Sequence, residues 1–486
     1  QEPEEDDRAD NGPCDGEEDS DPLAPAPSSG QKVTYQTDPR PHFGVAWSSH
    51  STCRPLWGSE GPCWGRRTQA VSDQTRTCPH CHLGLPPDTL RWHEFSGRMS
   101  KYRRAECYSA VLYVRSMGSY LERLQVFVYP PHKTSRAQRL KQAINELLTE
   151  LLSVRAPLRS FSLVGLELDR CCWSLVHKNS IIRDLCNFFS KCLTLTSVCL
   201  NDMRNNMHDG LEVISAMSHT QCQHYPRANI SSLELKGFFS SIMPAYRSSV
   251  SHPFFHLHGL TNLSLNYSCL TNDLLTVLQH GQPLQRHYYR KEKTLQTFAL
   301  YCTLSDLHQQ PVSGDLWASL ASRCSNLKVK LTVDQVVNNN QLARILLPEI
   351  PLTEYTMTAF YTPDPDSSAK PLLSDMLPQY RHSLQYLFLD LTSNEPLDEE
   401  LLHLVRVCER LEQLTVWAFL EIRTVDRLLH IRLTERNSLN TIRMRIYSLD
   451  DDIREQEDQL EKILSSYLLL PRKLELFAIV YPFIDT

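Results

Sequence analysis

The stretch Leu260-Thr261-Asn262-Leu263-Ser264-Leu265-Asn266-Tyr267-Ser268-Cys269-Leu270 decides how this 486-residue chain is read. Its apolar-x-x-apolar-x-apolar frame puts Leu263 and Leu265 two apart, on one face of a short strand, with Leu260 leading in. The frame recurs upstream as Leu121/Leu124/Val126, Leu158/Phe161/Leu163, Leu195/Val198/Leu200 and Ile230/Leu233/Leu235. Downstream it continues as Leu295/Phe298/Leu300, Cys324/Leu327/Val329, Leu352/Tyr355/Met357, Leu384/Leu387/Leu389, Leu411/Leu414/Val416, Leu439/Ile442/Met444 and Leu474/Phe477/Ile479. Twelve units begin 27 to 37 residues apart, about 32 on average, and a repeat of that length is the mark of a solenoid.

Between the frames lie apolar residues at three- and four-residue intervals, such as Leu140/Ile144/Leu147/Leu148/Leu151, Ile182/Leu185/Phe188/Phe189 and Leu401/Leu404/Val405, which predict helices. Strand then helix, repeated, gives an α/β leucine-rich-repeat solenoid, a curved horseshoe of parallel strands with outer helices. No unit covers its own apolar face. Stacked frames bury side chains worth roughly 1.5–3 kcal/mol each before entropy is subtracted, so stability is collective. A mixed α/β domain also alternates strands and helices, but its phosphate-binding turns need glycine. From Leu90 onward there are eight Gly in 397 residues, with no GxGxxG or GxxxxGK.

Further out, the composition changes. Residues Gln1 to Pro22 hold eleven acidic residues against Arg8, leaving 45 acidic and 49 basic residues in the rest, a balance that does not point to nucleic acid. Twelve of the 29 Pro and eight of the 16 Gly precede Leu90. Residues 1–90 are therefore expected to be a disordered or irregular leader, and 91–486 the solenoid. No run reaches the roughly 18 apolar residues of a membrane helix, and QEPEEDD has no signal-peptide pattern, so a cytoplasmic or nuclear protein is expected. Cysteines such as Cys171, Cys172, Cys186, Cys192 and Cys408 sit in apolar segments and are expected to be reduced buried thiols.

Chemistry-bearing motifs are few. Cys78-Pro79-His80-Cys81-His82 has the spacing of half a zinc site, but nine residues separate Cys53 from Cys63, outside the usual ligand spacing. No metal or cofactor is expected, and a zinc module on these four cysteines is the competing reading. There is no GxSxG or HExxH. Asp364 and Asp366 read as a turn, Asp450 to Asp452 as a helix start, and the irregularly spaced His219, His224, His256 and His258 as structural. A binding protein rather than an enzyme is expected.

Several segments resemble the F-box only proteins: Trp92 to Arg98 (WHEFSGR), Tyr120 to Val126 (YLERLQV), Leu166 to Arg170 (LELDR), Leu263 to Leu275 (LSLNYSCLTNDLL) and Asn326 to Lys330 (NLKVK). So do Leu342 to Pro351 (LARILLPEIP), Arg381 to Leu387 (RHSLQYL), Leu397 to Val405 (LDEELLHLV), Trp417 to Ile422 (WAFLEI) and Ala478 to Tyr481 (AIVY). The resemblance implies a substrate-receptor subunit of a cullin-type SCF ubiquitin ligase. Its repeats would hold a target protein, and an N-terminal F-box would dock on the adaptor and cullin scaffold. That family carries the F-box just ahead of the segment WHEFSGR resembles; here only Leu83 to Leu90 echoes its opening, so the F-box is expected to be missing or truncated. The competing reading is an interaction scaffold with no ligase link.

On each strand, residues between the inward frame positions face the concave side. That places Tyr386, Phe388 and Asp390 on one strand, Trp417 on the next and Arg443 on the one after, a composition suited to protein binding. A second expected patch is Tyr301 beside Lys328 and Lys330.

Overall fold

The computed structural model describes residues 76–77, 84–85, 104–218, 230–240, 251–254, 257, 259–280, 294–304, 312–335, 338–359, 368–449, 453–467 and 474–482. The chain divides into Gln1–Pro87 and Asp88–Thr486. In the first unit, β1 (Arg76–Thr77) pairs antiparallel with β2 (Gly84–Leu85). The rest of the leader, including Cys53, Cys63, Cys78 and Cys81, lies outside the described residues, as do Asp364, Asp366, Asp450 to Asp452 and His219, His224, His256 and His258.

The second unit is a leucine-rich-repeat-type solenoid. Twelve strands form one sheet in strict chain order: β3 (Arg123–Phe127), β4 (Ser160–Val164), β5 (Ser197–Cys199), β6 (Ser232–Leu235), β7 (Asn262–Asn266), β8 (Thr297–Thr303), β9 (Lys328–Asp334), β10 (Leu352–Ala359), β11 (Tyr386–Leu391), β12 (Gln413–Ala418), β13 (Thr441–Ser448) and β14 (Glu475–Pro482). Every neighbouring pair is parallel, from β3·β4 to β13·β14. Helices α1 (Arg104–Met117), α2 (Thr134–Ser153), α3 (Leu175–Lys191) and α4 (Met207–Ser218) begin the outer layer, and the layer ends in α5 (Asp398–Val407), α6 (Ile422–Thr434) and α7 (Arg454–Ser466). Side chains cap the helix starts: Ser174 accepts from the His177 amide at 3.3 Å and Asn206 from that of Asp209 at 2.9 Å.

The core lies between sheet and helices, and the frame residues build it. Leu158, Leu195, Val198, Leu200, Leu233, Leu265, Leu384, Leu389 and Leu414 are wholly buried. Phe161 from β4 packs on Phe188 and Phe189 of α3 with ring centroids 5.0 and 5.8 Å apart. Helix α1, which the repeat pattern did not contain, covers α2; Arg115 Nε donates to Glu150 at 3.1 Å.

Two frames need correction. Phe298 and Leu300 of β8 face Val329 and Leu331 of β9, so the seventh frame is Asn326/Val329/Leu331 and not Cys324/Leu327/Val329. The shift is by two residues and keeps the same face inward. On its other side, β9 meets a register irregularity at Leu352/Glu354, beyond which Leu331 faces Tyr355 and Val333 faces Met357. Strand β9 thus has three inward residues serving two frames. In the twelfth unit, Ile442, Met444 and Ile446 of β13 face Leu476, Ala478 and Val480. The expected Phe477 and Ile479 therefore point to the concave side, and Phe477 is 41% exposed. A one-residue slip turned that whole strand over.

Of the cysteines read as buried thiols, Cys172, Cys192 and Cys408 are buried, Cys186 is partly so, and Cys171 is exposed, in the turn before α3. No described helix is long and apolar enough to cross a membrane.

Candidate functional site

Along β11 to β14 every second residue leaves the core, and the parallel register aligns these residues into rows. Phe388, Thr415, Arg443 and Phe477 form one row; Asp390, Trp417, Arg445 and Ile479 form the next. Beyond them Tyr447 stands beside Tyr481. Neighbouring strands are about 4.8 Å apart, so ring against ring is the expected contact. The Phe388 and Trp417 rings meet edge to face at 5.2 Å. Phe419 and Tyr447 lie 5.6 Å apart. The Arg445 guanidinium lies 4.1 Å from the Trp417 ring centre and 5.0 Å from that of Tyr481, a cation held between two π faces.

A hydrogen bond locks this arrangement across an intervening strand. The Tyr447 hydroxyl donates to Asp390 Oδ1 at 2.9 Å, from β13 to β11. Strands two apart are separated by about 9.6 Å, a gap bridged only because a long tyrosine reaches toward the carboxylate. Burial raises the Asp390 carboxyl above its usual value, against the lowering effect of the Tyr447 hydroxyl and the Arg445 charge. Burial, together with Asp390, pushes the Tyr447 phenol up to about 12.

The structure brings Tyr386, Phe388, Asp390, Trp417 and Arg443 onto one face, with Phe388, Asp390 and Trp417 in the cluster itself. Arg443 stands aside, paired with Glu475. The guanidinium of the cluster is Arg445, and Tyr447, Phe419 and Tyr481 complete it. Sequence reasoning chose Arg443 at the fifth frame position over Arg445 at the seventh, and missed Tyr447, Phe419 and Tyr481 because they lie beyond the seventh. The signal was the two-residue alternation Arg443-x-Arg445-x-Tyr447.

The second expected patch, Tyr301, Lys328 and Lys330, lies on one face of β8 and β9 and is spread along it. Tyr301 lies beside Thr332, and Lys328 beside Thr297, four residues earlier along the strand or about 13 Å away. The cation over the Tyr301 ring is Lys236, at 4.6 Å, and Lys330 is paired with Glu354 at 2.6 Å.

Burial raises the thiols of Cys186 and Cys408 to about 12 and that of Cys199 to about 11, which holds them protonated at neutral pH and unsuited to nucleophilic attack. Among the described residues, His208, Asp209 and Glu212 place potential ligand atoms within 4.8 Å of one another on the first turns of α4. Asp209 is already engaged, accepting from Asn206 Nδ2 at 2.7 Å.

No protein-family model matches the sequence. Among solved structures, the chain is similar to one in a yeast Rad7 and Elc1 complex, with 12% identity, 75% of this chain and 94% of that chain covered, and a TM-score of 0.32. It is also similar to a protein from Bacteroides fragilis, with 14% identity, 68% and 69% covered, and a TM-score of 0.25. Likenesses this weak decide nothing about the site; the solenoid is established by the chain-order pairing of twelve parallel strands from β3 to β14.

Proposed function

We propose that the chain is a non-catalytic target receptor: the concave face of β11–β14 captures a protein, and the solenoid serves as the substrate-recognition subunit of a cullin-type SCF ubiquitin ligase. The observation that carries the capture step is the aromatic and guanidinium cluster of Phe388, Trp417, Arg445 and Tyr481. Large rings already ordered by one another bury area at little entropic cost, which is the composition of an interaction hot spot. The ligase link rests on the resemblance of the body's segments to the F-box only proteins, most of all F-box only protein 39. Its partners would be the SCF adaptor and cullin scaffold, along with a target not yet identified. The interaction scaffold without a ligase link shares the same capture face and differs only in adaptor binding.

The test has two arms. Cross-linking in cells with the wild-type chain and with a Phe388→Ala, Trp417→Ala double variant should show target capture lost in the variant while its melting curve is kept. Capture that survives in the folded variant removes the concave-face reading. Near-stoichiometric co-purification of the adaptor supports the ligase reading; its absence leaves the scaffold.

A further inference from the structure

We infer that the Arg445 site takes a carboxylate of the captured protein, from an Asp or Glu set among apolar residues in an extended segment. This deepens the target-receptor reading and rests on it. The argument begins with how Arg445 is held. Trp417 and Tyr481 occupy the two faces of its guanidinium. Stacking uses the faces of that group and leaves its in-plane N–H donors to be satisfied by something else. Among the described residues no carboxylate pairs with it, whereas Arg443 is paired with Glu475 and Lys330 with Glu354. Its Nε is buried without an acceptor. One contact is internal: Tyr447 lies within hydrogen-bonding reach of it and donates its own hydroxyl hydrogen bond to Asp390. The result is a half-buried cation, fixed in orientation, with unspent donors.

The surroundings choose among anions. Asp390 is close enough to feel the Arg445 charge without pairing with it, so the site already holds part of a counter-charge. A singly charged carboxylate suits the remainder; a phosphate dianion would meet Asp390 with no second unpaired cation in the cluster. The walls are apolar: Phe388 and Trp417 on one side, Phe477, Ile479 and Tyr481 on the other. A carboxylate flanked by aliphatic or aromatic side chains satisfies both features. A charge-assisted bond to a fork already fixed in place and partly withdrawn from water is stronger than the same pair on an open surface.

The experiment is selection of a displayed random heptapeptide library on the purified full chain. The wild-type protein is expected to enrich peptides with Asp or Glu between apolar residues. A fluorescein-labelled copy of the most enriched peptide should bind Arg445→Gln about 10- to 100-fold more weakly and Arg445→Lys to an intermediate degree, with melting curves superimposed. Asp390→Asn, which removes the neighbouring negative charge, should tighten the same peptide by about threefold to tenfold; this keeps the inference open to refutation even if the Arg445 variants fail to fold. Enrichment without an acidic position, equal binding by Arg445→Gln, or unchanged or weaker binding by Asp390→Asn overturns the inference and leaves the receptor reading standing. Tighter binding when phosphoserine replaces the acidic residue transfers the site to phosphate and overturns it too. A wild-type selection that enriches nothing removes the inference together with the receptor reading beneath it.

Discussion

Strands β4 to β7 and strands β11 to β14 belong to one sheet and bury the same kind of frame, yet they show solvent opposite surfaces. The first group has three to five residues per strand, and its concave positions are mostly small and polar, Ser160, Ser162, Ser197, Ser232, Asn262 and Ser264, with Cys199 and Glu234 between them. The second has six to eight residues per strand and presents Phe388, Trp417, Arg445, Tyr447 and Tyr481. The difference begins in the backbone. After β4, β5 and β6 the chain turns out of the sheet through left-handed residues, Gly165, Glu167, Asp202, Arg204 and Gly237. Those turns stack on one another, Glu167 N donating to Asp202 O at 3.0 Å and Arg204 N to Gly237 O at 2.9 Å. Among the described residues after Gly259, Gln335 alone has a positive φ. Strands free of that turn run on for another two or three residues, and the added rows are where the aromatic cluster forms. An early turn builds a spine; a late one builds a surface.

The largest effect should come from attacking the spine. Phe161→Ala removes the ring that joins Phe188 and Phe189 and should cost about 3–5 kcal/mol in urea unfolding. Trp417→Ala, half-buried on the concave face, should cost about 1 kcal/mol or less while abolishing capture. Equal losses would erase the distinction between the two regions.

The turns offer the next test. Gly165 has φ +84, and a Cβ there would lie 2.5 Å from the Val128 carbonyl oxygen, so Gly165→Ala should cost about 1–3 kcal/mol. Gly314, the first residue of the helix Gly314–Arg323, has an ordinary φ, and the atoms nearest its added Cβ belong to the movable Glu349 carboxylate. Gly314→Ala should therefore change the melting temperature little, and a loss matching that of Gly165→Ala would show that turn conformation is not what separates the regions.

A smaller effect, visible in pH dependence, belongs to the surface. The folded Asp390 carboxyl keeps its proton to higher pH than the unfolded one. Its contribution to stability is thus fully present below the ordinary Asp value of about 3.9 and is lost as pH rises through the folded value. Tyr447→Phe removes the hydrogen bond that holds that value down, so the loss on going from acid to neutral pH should grow by about 1 kcal/mol in unfolding titrations. An unchanged pH profile would mean that Tyr447 does not support the carboxylate. The smallest effect should be Arg443→Gln, at about 0.5 kcal/mol or less, because the Arg443–Glu475 pair is exposed on both sides.

The solenoid was legible because each frame is apolar on one side and polar on the other. In Gln413 to Ala418, Leu414 and Val416 alternate with Gln413 and Thr415, and only one face can go inward. The same logic put Phe388, Asp390 and Trp417 on the face away from the core, where the register aligns them. It failed where both faces are apolar: in Glu475 to Pro482, Leu476, Ala478 and Val480 compete with Phe477, Ile479 and Tyr481 for the core. Hydrophobicity alone favours the larger Phe477 and Ile479, and only pairing with Ile442, Met444 and Ile446 settles the choice. Pairing is a relation between strands distant in sequence, and so is the choice of cation. Which of Arg443 and Arg445 lies against Trp417 depends on the register of β12 against β13 and on the carboxylate of Glu475 one strand away. The sequence by itself determined that this chain repeats and which residues most of its repeats bury, because those are properties of local periodicity. The tertiary structure alone decided the register shift at Leu352, the face of β14 and the arginine at the centre of the cluster, because each is fixed by pairing across the sheet.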